Sequence, residues 1–444
     1  MTSVAERIQL AADAACAAGR PLVCGQVDQV RGLSVTVRGL RARIGELVHI
    51  DAADALVAAE VVAVQDAAEG QLATCLPLGS VAGIGAGDTA FATGRPLTVQ
   101  VGDQLLGRVL DGLGRPLDGP ALPATLPYVG VHAAPPDALT RARIDTPLPL
   151  GVRVVDTLAP LGRGQRMGIF AGSGVGKSSL LSMMTRGTSA DVTVVALIGE
   201  RGREVREFLE DDLGPEGLQR AIVVVATSDQ PPVVRMRAAY VATRIAEWFR
   251  DTGRDVLLMM DSLTRLAAAQ REIGLSAGEP PTTRGYPPSV FASMPQLLER
   301  AGASDRGSIT GLYTVLVDGD DHNEPVADTA RSILDGHVVL ERRLANAGHY
   351  PAVDPLQSLS RVAGAITSPD QRALMQQARR LIAARQEVKE LVEIGAYVAG
   401  TNPSADRALK LWPALEAFLQ QDLHDLTPND RSWSQLAELL DGAS

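Results

Sequence analysis

Cysteine is scarce in this sequence, with only three residues among 444. Cys16, Cys24 and Cys75 are odd in number, lie near the start of the chain and form no Cys-x-x-Cys pair. Because disulfide scaffolds use paired cysteines, we expect a reduced, cytoplasmic protein whose cysteines serve in packing. The six histidines also lack a His-Glu-x-x-His or other paired spacing, which argues against a protein-bound transition metal.

Long hydrophobic runs are absent as well. No apolar stretch approaches the roughly 18 residues that a helix needs to span a bilayer. The first residues also lack a basic region followed by an apolar core, which is the pattern of a secretory signal. We therefore expect neither a membrane-inserted chain nor one exported by a cleaved signal.

Basic residues are fewer than acidic residues in this chain. Lysine and arginine total 42 against 52 acidic residues, which gives a net charge of −10 at pH 7. This balance argues against broad, nonspecific binding to nucleic acid. The fractions of hydrophobic (45%) and charged (21%) residues are those of a globular protein, and the length allows two or three domains.

The most informative segment that is present reads AGSGVGKS at 171–178. The preceding MGIF at 167–170 predicts a short buried strand, and the following SLLSMM at 179–184 predicts the start of a helix. A glycine-rich turn between a strand and a helix lets several backbone N–H groups point at one oxyanion, and the helix N-terminus adds its dipole. The segment therefore predicts a phosphate-binding loop.

Within this loop, Lys177 would reach the β- and γ-phosphates of a nucleotide and Ser178 would bind Mg²⁺. The general pattern begins with glycine, whereas this chain has Ala171. A chance glycine turn before a helix is the alternative interpretation. The predicted nucleotide-binding residues of the loop are Gly172, Ser173, Gly174, Val175, Gly176, Lys177, Ser178 and Ser179.

The chain divides by pattern into four segments. Residues 1–20 favour a short N-terminal helix, and 21–95 show short alternating runs with glycine turns that predict a small β-barrel. Residues 96–365 alternate apolar strands with helices, which predicts an α/β core with a parallel sheet around the phosphate loop. Residues 366–444 keep helical spacing after the cap at Ser368 and predict a helical C-terminal domain.

Two carboxylates close apolar strands of the core. Asp261 follows the strand at 255–260, where it would join the Mg²⁺ shell, although it could instead cap the next helix. Glu200 ends the strand that begins at Val192, where it could orient and deprotonate an attacking water. The local sequence equally allows Glu200 to be a surface carboxylate paired with a neighbouring arginine.

Longer motifs then resemble a known family. GERGR at 199–203, DSLTRL at 261–266 and HYPAVDP at 349–355 are similar to the catalytic subunits of F-type and V-type rotary ATPases. GSIT at 307–310 and SILDGH at 332–337 resemble the ATPases of type III protein export, in particular those of the flagellum. The resemblance extends from about residue 20 to 440 and implies a RecA-like core.

The resemblance also implies roles for single residues. Glu200 would be the catalytic carboxylate, Asp261 the acid of the magnesium shell, and Arg201 and Arg265 would support the γ-phosphate. Tyr350 would stack on adenine, and Arg361 would be offered to the active site of a neighbouring subunit. Without the resemblance, Tyr350 would be interpreted as a core residue and Arg361 as a solvated one.

The family implies a Mg²⁺-dependent ATPase that works as a homohexamer at the cytoplasmic base of a flagellar export apparatus. Its expected partners are a stator-like regulator at the N-terminus, a central stalk and export gate at the C-terminal face, and export chaperones with their substrates. Such a protein would reach the membrane only through partners.

Three alternatives stay open. An injectisome ATPase is the nearest, because the motifs separate the two systems poorly. A hexameric nucleic-acid translocase would need a basic, aromatic surface, yet residues 21–95 contain one aromatic residue, Phe91, and a modest arginine cluster at Arg38, Arg41 and Arg43. A nucleotide-binding subunit without catalysis is the third, and Glu200 argues against it.

Overall fold

The computed structural model describes residues 23–53, 55–67, 70–317 and 324–441. The helix predicted for 1–20 lies outside these residues. By internal contacts the chain forms two compact units, one with residues up to 97 and Ser276–Gly278, the other with Thr98–Leu275 and Glu279 onward. No helix in the described part of the chain has both the length and the apolarity to cross a membrane.

The first unit is a closed barrel of six antiparallel strands. Its strands are β1 (Cys24–Arg31), β2 (Ser34–Arg38), β3 (Glu46–Asp51), β4 (Leu56–Ala67), β5 (Gly70–Pro77) and β6 (Thr89–Pro96). They pair in the order β1-β2-β5-β4-β3-β6, and β6 closes on β1. Val35 and Val37 alternate with half-buried residues along β2 and fill the interior with Val48 and Cys75. The predicted barrel is therefore confirmed.

The second unit is built on a nine-stranded sheet. The strands after the barrel are β7 (Thr98–Gln100), β8 (Val109–Asp111), β9 (Tyr128–Gly130), β10 (Arg166–Ala171), β11 (Val192–Ile198), β12 (Ala221–Ala226), β13 (Asp255–Asp261), β14 (Gly302–Ala303), β15 (Ser308–Leu316), β16 (Gly336–Leu340) and β17 (Val353–Ser360). Within the sheet the order is β17-β16-β10-β15-β13-β11-β12-β8, with β14 on β15, while β7 pairs with β9. The six strands from β16 to β12 run parallel and are joined by parallel β8, so the predicted α/β core is confirmed.

Helices cover the sheet and follow it along the chain. They are α1 (Arg153–Leu158), α2 (Lys177–Gly187), α3 (Gly202–Glu207), α4 (Gly214–Gln219), α5 (Pro232–Asp251), α6 (Leu263–Ser276), α7 (Pro288–Leu298), α8 (Pro325–Ile333), α9 (Arg342–Asn346), α10 (Ala363–Ile366), α11 (Pro369–Glu393), α12 (Pro403–Leu419) and α13 (Asn429–Asp441). A π-helical turn at Phe208–Leu213 joins α3 to α4. Since β11, β12 and β13 are buried along almost their whole length, both faces of the sheet are covered.

The sheet has antiparallel members that the sequence pattern did not indicate. Strand β17 runs antiparallel to β16, and the two-residue β14 runs antiparallel to β15. Strand β17 contains Pro355 and several polar residues, so it lacks the continuous apolar run by which the central strands were recognised. Strand β17 is the last strand in the order of the sheet, and Leu356, Gln357 and Leu359 along it are not fully buried.

The C-terminal helices α11 to α13 pack on the sheet unit through a shared core. The Ser368 hydroxyl accepts the N–H of Gln371, whose side chain accepts the N–H of Ser368, so α11 begins with a complete capping box. Leu381 on α11 and Leu415 on α12 belong to the same buried cluster as strand residue Leu257. The predicted helical C-terminal region is thus confirmed.

Candidate active site

The segment 171–178 forms the connection from β10 to α2. Gly174 and Gly176 have φ angles of +74° and +88°, in the left-handed region that other residues rarely adopt. The buried side chain of Val175 anchors the loop, and Arg342 donates a hydrogen bond of 3.1 Å to the Ser173 carbonyl. No side chain caps the N-terminus of α2, so its first backbone N–H groups are open to an anionic ligand.

Lys177 and Asp261 form an ion pair across the carboxyl ends of the strands. The ammonium of Lys177 contacts both carboxylate oxygens of Asp261, and both side chains are largely buried. Strand β15 lies between β10 and β13, and its Thr314 hydroxyl donates to Asp261 Oδ1 at 2.6 Å. Lys177 is therefore held at a carboxylate from which incoming phosphate oxygens can draw it.

Glu200 lies beside this pair because β11 is the neighbour of β13 in the sheet. The pKa of Glu200 is raised to about 7, first by burial, then by the negative charge of Asp261 and by a hydrogen bond with Glu204. The charges of Lys177 and Arg265 act in the opposite direction. A carboxyl group with a pKa near neutrality is suited to accept a proton from water.

Glu204 is a site residue that the sequence interpretation missed. Its pKa is lowered chiefly by its hydrogen bond with Glu200, so the proton resides on Glu200 and Glu204 accepts it. The available signal was proximity in the chain, because Glu200 directly precedes Arg201, the N-cap of α3, and Glu204 lies in the first turn of that helix. Glu204 also accepts from the Arg201 guanidinium at 3.2 Å.

The two arginines predicted to support the γ-phosphate occupy different environments. Arg265 packs its aliphatic stem against Gly199, where an added Cβ would lie 3.0 Å from Arg265 Cβ. Its Nε is buried without a hydrogen-bond partner among the described residues. The side chain of Arg201 is 71% exposed, and among the described residues its ion pair is with Glu204. The structure thus brings Arg265, but not Arg201, against Glu200.

A magnesium ion fits the donors at this position. Within the described ranges no group of three or more histidines, cysteines or carboxylates is arranged to hold a metal. Mg²⁺ at nucleotide sites uses one or two protein oxygens together with phosphate oxygens and water. The exposed hydroxyl of Ser178 at the start of α2 and the Asp261 carboxylate are oxygens of this kind, and their role as metal ligands stays a prediction.

A cavity of about 530 Å³ adjoins the loop on the side of α2. Gly176, Ser179 and Tyr350 line it, and Tyr350 lies so near the loop that a Cβ on Gly176 would be 3.2 Å from its ring. Arg153 and Gln420 also line the cavity, and the sequence interpretation missed both. Neither residue belongs to a motif singled out in the sequence, since Arg153 precedes the loop and Gln420 lies in the C-terminal region.

Arg361 lies at the opposite edge of the sheet from the loop of its own chain. Its backbone N–H donates to the Asp335 carbonyl, and the Asp335 carboxylate accepts from the N–H of Arg166 at the start of β10. The six residues of β10, at about 3.3 Å each, place the loop roughly 20 Å away. The exposed Arg361 is therefore not part of the site in its own subunit.

Family models match the sheet and the C-terminal helices separately. Residues 151–360 match the ATP synthase alpha/beta family, nucleotide-binding domain. Residues 367–438 match the T3SS EscN ATPase C-terminal domain.

Whole-chain relatives are similar over nearly the full length. The chain is 50% identical to the flagellum-specific ATP synthase of Bacillus subtilis over 418 residues, which is 94% of each chain. It is 49% identical to the type 3 secretion system ATPase of Xanthomonas euvesicatoria over 421 residues, again 94% of each.

Solved structures of type III secretion ATPases are also similar to this chain. The assembled ATPase EscN of the enteropathogenic E. coli type III secretion system matches with a TM-score of 0.88 at 45% identity, covering 94% of this chain and 100% of that one. EscN in complex with its central stalk EscO matches with a TM-score of 0.86 at 44% identity and the same coverage.

Proposed function

This chain belongs to the family of flagellum-specific and type III secretion ATPases, and we propose that it hydrolyses ATP to energise flagellar protein export. The observation that carries this proposal is the convergence of Lys177, Asp261 and Glu200 at the carboxyl ends of neighbouring strands, beside an open helix N-terminus. These groups are the parts that phosphoryl transfer to water requires.

Each residue of the site has a separate role in ATP hydrolysis. The backbone of the loop binds the phosphates, and Lys177 moves from Asp261 to the β- and γ-phosphate oxygens. Glu200 takes a proton from the water that attacks the γ-phosphorus, and ADP leaves with the electrons of the broken bond. Arg265 offers its unpartnered Nε to the charge that develops. Mg²⁺, held by Ser178 with Asp261 in its shell, would neutralise phosphate charge.

Hydrolysis by this site is proposed to require a second subunit. Arg361 cannot reach the loop of its own chain, yet it is exposed and is therefore available to a neighbour. An arginine supplied in trans is worth about 10³ to 10⁵ in rate. We propose a closed ring of six subunits in which each Arg361 completes the adjacent site, and the match to assembled EscN supports this.

Different partners are proposed to bind at the two ends of the chain. The C-terminal helices are proposed to face a central stalk and the export gate, which the stalk complex of EscN supports. A stator-like regulator is proposed for the N-terminal segment, which lies outside the described residues. We propose that ATP hydrolysis releases chaperones and delivers export substrates at the cytoplasmic base of the apparatus.

An injectisome is the second candidate system. The chain is nearly as similar to the Xanthomonas type 3 secretion system ATPase as to the Bacillus flagellar protein. Deletion of the gene distinguishes the two systems, since loss of motility supports the flagellar assignment. Intact motility with loss of effector secretion would assign the injectisome instead.

The test of the chemistry is the substitution Glu200→Gln. The amide retains the size of the side chain but accepts no proton from water, so we expect ATP binding to persist and turnover to fall at least about 10³-fold. Binding is measured by calorimetry and phosphate release by a coupled assay. Lys177→Ala is the control that should lose binding itself. Turnover that survives in Glu200→Gln would refute the assigned base.

A further inference from the structure

Asp335 lies at the amino edge of the sheet, in the turn between α8 and β16. Its carboxylate accepts three hydrogen bonds from Arg166, the first residue of β10. The backbone N–H and Nε of Arg166 donate at 3.0 Å and its Nη2 at 3.1 Å. The N–H of Asp335 donates in return to the Arg166 carbonyl at 2.8 Å. Four hydrogen bonds between two residues thus fix the backbone and the side chain of Asp335 against β10.

Arg166 is also held from its other side. Its guanidinium forms an ion pair of 2.5 Å with Glu299, and Glu299 pairs in turn with Arg141 at 3.1 Å. The side chain of Arg166 is largely buried, and two carboxylates compensate its charge there. The position of Asp335 is therefore set by contacts within its own subunit.

The backbone of Asp335 holds the backbone of Arg361. The Asp335 carbonyl accepts from the N–H of Arg361 at 3.0 Å and from Nε2 of Gln165 at 3.2 Å. Gln165 is fully buried, and its oxygen accepts the N–H of Gly162 at 2.9 Å, which fixes the orientation of the amide. The same Nε2 donates to the Ser360 hydroxyl at 3.1 Å. Asp335 and Gln165 thus fix the point at which the Arg361 side chain leaves the sheet.

The guanidinium of Arg361 is not paired with an acid among the described residues. The only hydrogen bond of its side chain there is donated at 3.4 Å to the carbonyl of Arg331, in the last turn of α8. Both carboxylate oxygens of Asp335 are occupied by Arg166 instead. An arginine with a fixed backbone and an unpaired charge is suited to bind a phosphate group.

We propose that Asp335, held by Arg166, positions Arg361 for the active site of the adjacent subunit. The inference rests on the proposed function, since it concerns the arginine that the neighbouring site would use. A misplacement of about 1 Å in a group that acts on the reaction can cost about 10²-fold in rate. Asp335 is a positioning residue, and it acts on the neighbour's site rather than on the loop of its own chain.

The first experiment is the substitution Asp335→Asn in the full chain. Asparagine replaces one acceptor oxygen by a donor that faces the donors of Arg166, so Arg361 should lose its fixed position. The ATPase rate of the assembled protein should fall by about 10²-fold, while calorimetry should show ADP binding close to wild type. Asp305→Asn is the matched control and should keep the wild-type rate. Asp305 lies just before β15 at the same edge of the sheet, is exposed, and forms no side-chain hydrogen bond or ion pair among the described residues.

The second experiment mixes variants to show which site Asp335 serves. Asp335→Asn has an intact loop and Glu200, and a Glu200→Gln neighbour offers it a correctly placed Arg361. This mixture should recover about a quarter of the wild-type rate, because random mixing forms the complete junction at about one site in four. A mixture of Asp335→Asn with Arg361→Ala should not recover, since neither protein offers a correctly placed Arg361.

A structural defect in the loop of the variant's own chain would give the opposite pattern. Asp335→Asn would then offer an intact Arg361 to the Arg361→Ala loop and recover only in that mixture. Arg166→Lys is the second variant, because a single ammonium keeps the charge but cannot hold the Asp335 carboxylate bidentately. It should show a smaller loss with the same pattern in both mixtures. Sedimentation checks ring formation, and Arg166→Lys replaces Asp335→Asn in the mixtures if the latter does not assemble.

The outcomes separate this inference from the proposed function. An assembled variant that keeps the wild-type rate, recovers with Arg361→Ala, or recovers in neither mixture would overturn the positioning role. In each case an inactive Arg361→Ala would leave the shared site standing. If Arg361→Ala itself hydrolyses ATP at the wild-type rate, the proposed sharing between subunits fails instead.

Discussion

Glu200 and Glu204 share one proton beside a buried ion pair, and this sharing sets the protonation state of the site. Burial and the charge of Asp261 favour the neutral form of Glu200, whereas Lys177 and Arg265 favour the carboxylate. The opposing effects leave the pKa of Glu200 at about 7, where the group can change its protonation state at little cost. A carboxylate exposed to water would have a pKa too low to act efficiently as a base.

The raised pKa predicts the pH dependence of the ATPase. Because the proposed base works in its deprotonated form, kcat/KM for ATP should rise as pH increases through about 7 and level off above it. Glu204→Gln removes the carboxylate that accepts the proton of Glu200, so the pKa of Glu200 should fall and the acidic limb should move to lower pH. The measurement is kcat/KM between pH 5.5 and 9 in both proteins. If the acidic limb of the kcat/KM profile lies at the same pH in both proteins, Glu200 and Glu204 do not share a proton.

Part of the site could be predicted from the sequence because its residues lie at the carboxyl ends of recognisable strands. Asp261 is the last residue of the buried strand β13, Glu200 comes shortly after β11, and Lys177 follows the loop after β10. Parallel strands bring their carboxyl ends to one edge of the sheet, so these three side chains meet there. The sequence pattern therefore predicted the central strands, the loop and these three side chains. It also predicted the barrel, where short alternating runs are separated by glycine turns.

The remaining part of the site depends on contacts between distant segments. Arg153 and Gln420 meet at the nucleotide cavity although 267 residues separate them. Gln421 likewise bonds to the loop before α1. No local periodicity marks such pairs, because their positions follow from how α12 packs on the sheet unit. The short strands β8 and β14 were missed for a related reason, since two or three residues carry no detectable period.

The guanidinium of Arg153 joins α1 to the end of α12 and to the segment that follows it. Besides the carbonyls of Phe418 and Gln420, it donates to Asp425 at 2.8 Å and to Thr427 at 3.0 Å. Arg153→Ala leaves these acceptors unpaired, so we expect a loss of about 2–4 kcal/mol in unfolding free energy and a higher KM for ATP. Arg153→Lys, with a single compact donor group, should be intermediate.

Urea unfolding and steady-state kinetics measure these two effects. Arg431→Ala is the matched control, since this arginine on α13 is exposed and its side chain forms no hydrogen bond or ion pair among the described residues. Equal stability of Arg153→Ala and Arg431→Ala would show that the segment is held by packing alone.

At the scale of the whole molecule, the position of Arg361 separates binding from catalysis. The loop and its carboxylates lie at the carboxyl edge of the sheet, and Arg361 lies at the amino edge beside Asp335. A single chain therefore brings Lys177, Glu200 and Arg265 together at its loop but keeps its own Arg361 at the opposite edge of the sheet. Hydrolysis should then rise more steeply than linearly with protein concentration, because each active site is shared between two subunits.

Mixing two inactive variants tests this sharing directly. Arg361→Ala retains an intact loop and Glu200, whereas Glu200→Gln retains an intact Arg361, so each protein alone should be nearly inactive. In an equal mixture that exchanges subunits, an Arg361→Ala loop beside a Glu200→Gln neighbour has every group it needs. Random mixing forms this junction at about one site in four, so the ATPase rate should recover to about a quarter of wild type. As a control, wild type is mixed with the double variant Arg361→Ala with Glu200→Gln. This mixture measures how far inactive subunits lower the ATPase rate. A mixture no more active than its components would place Arg361 outside the catalytic site of any subunit.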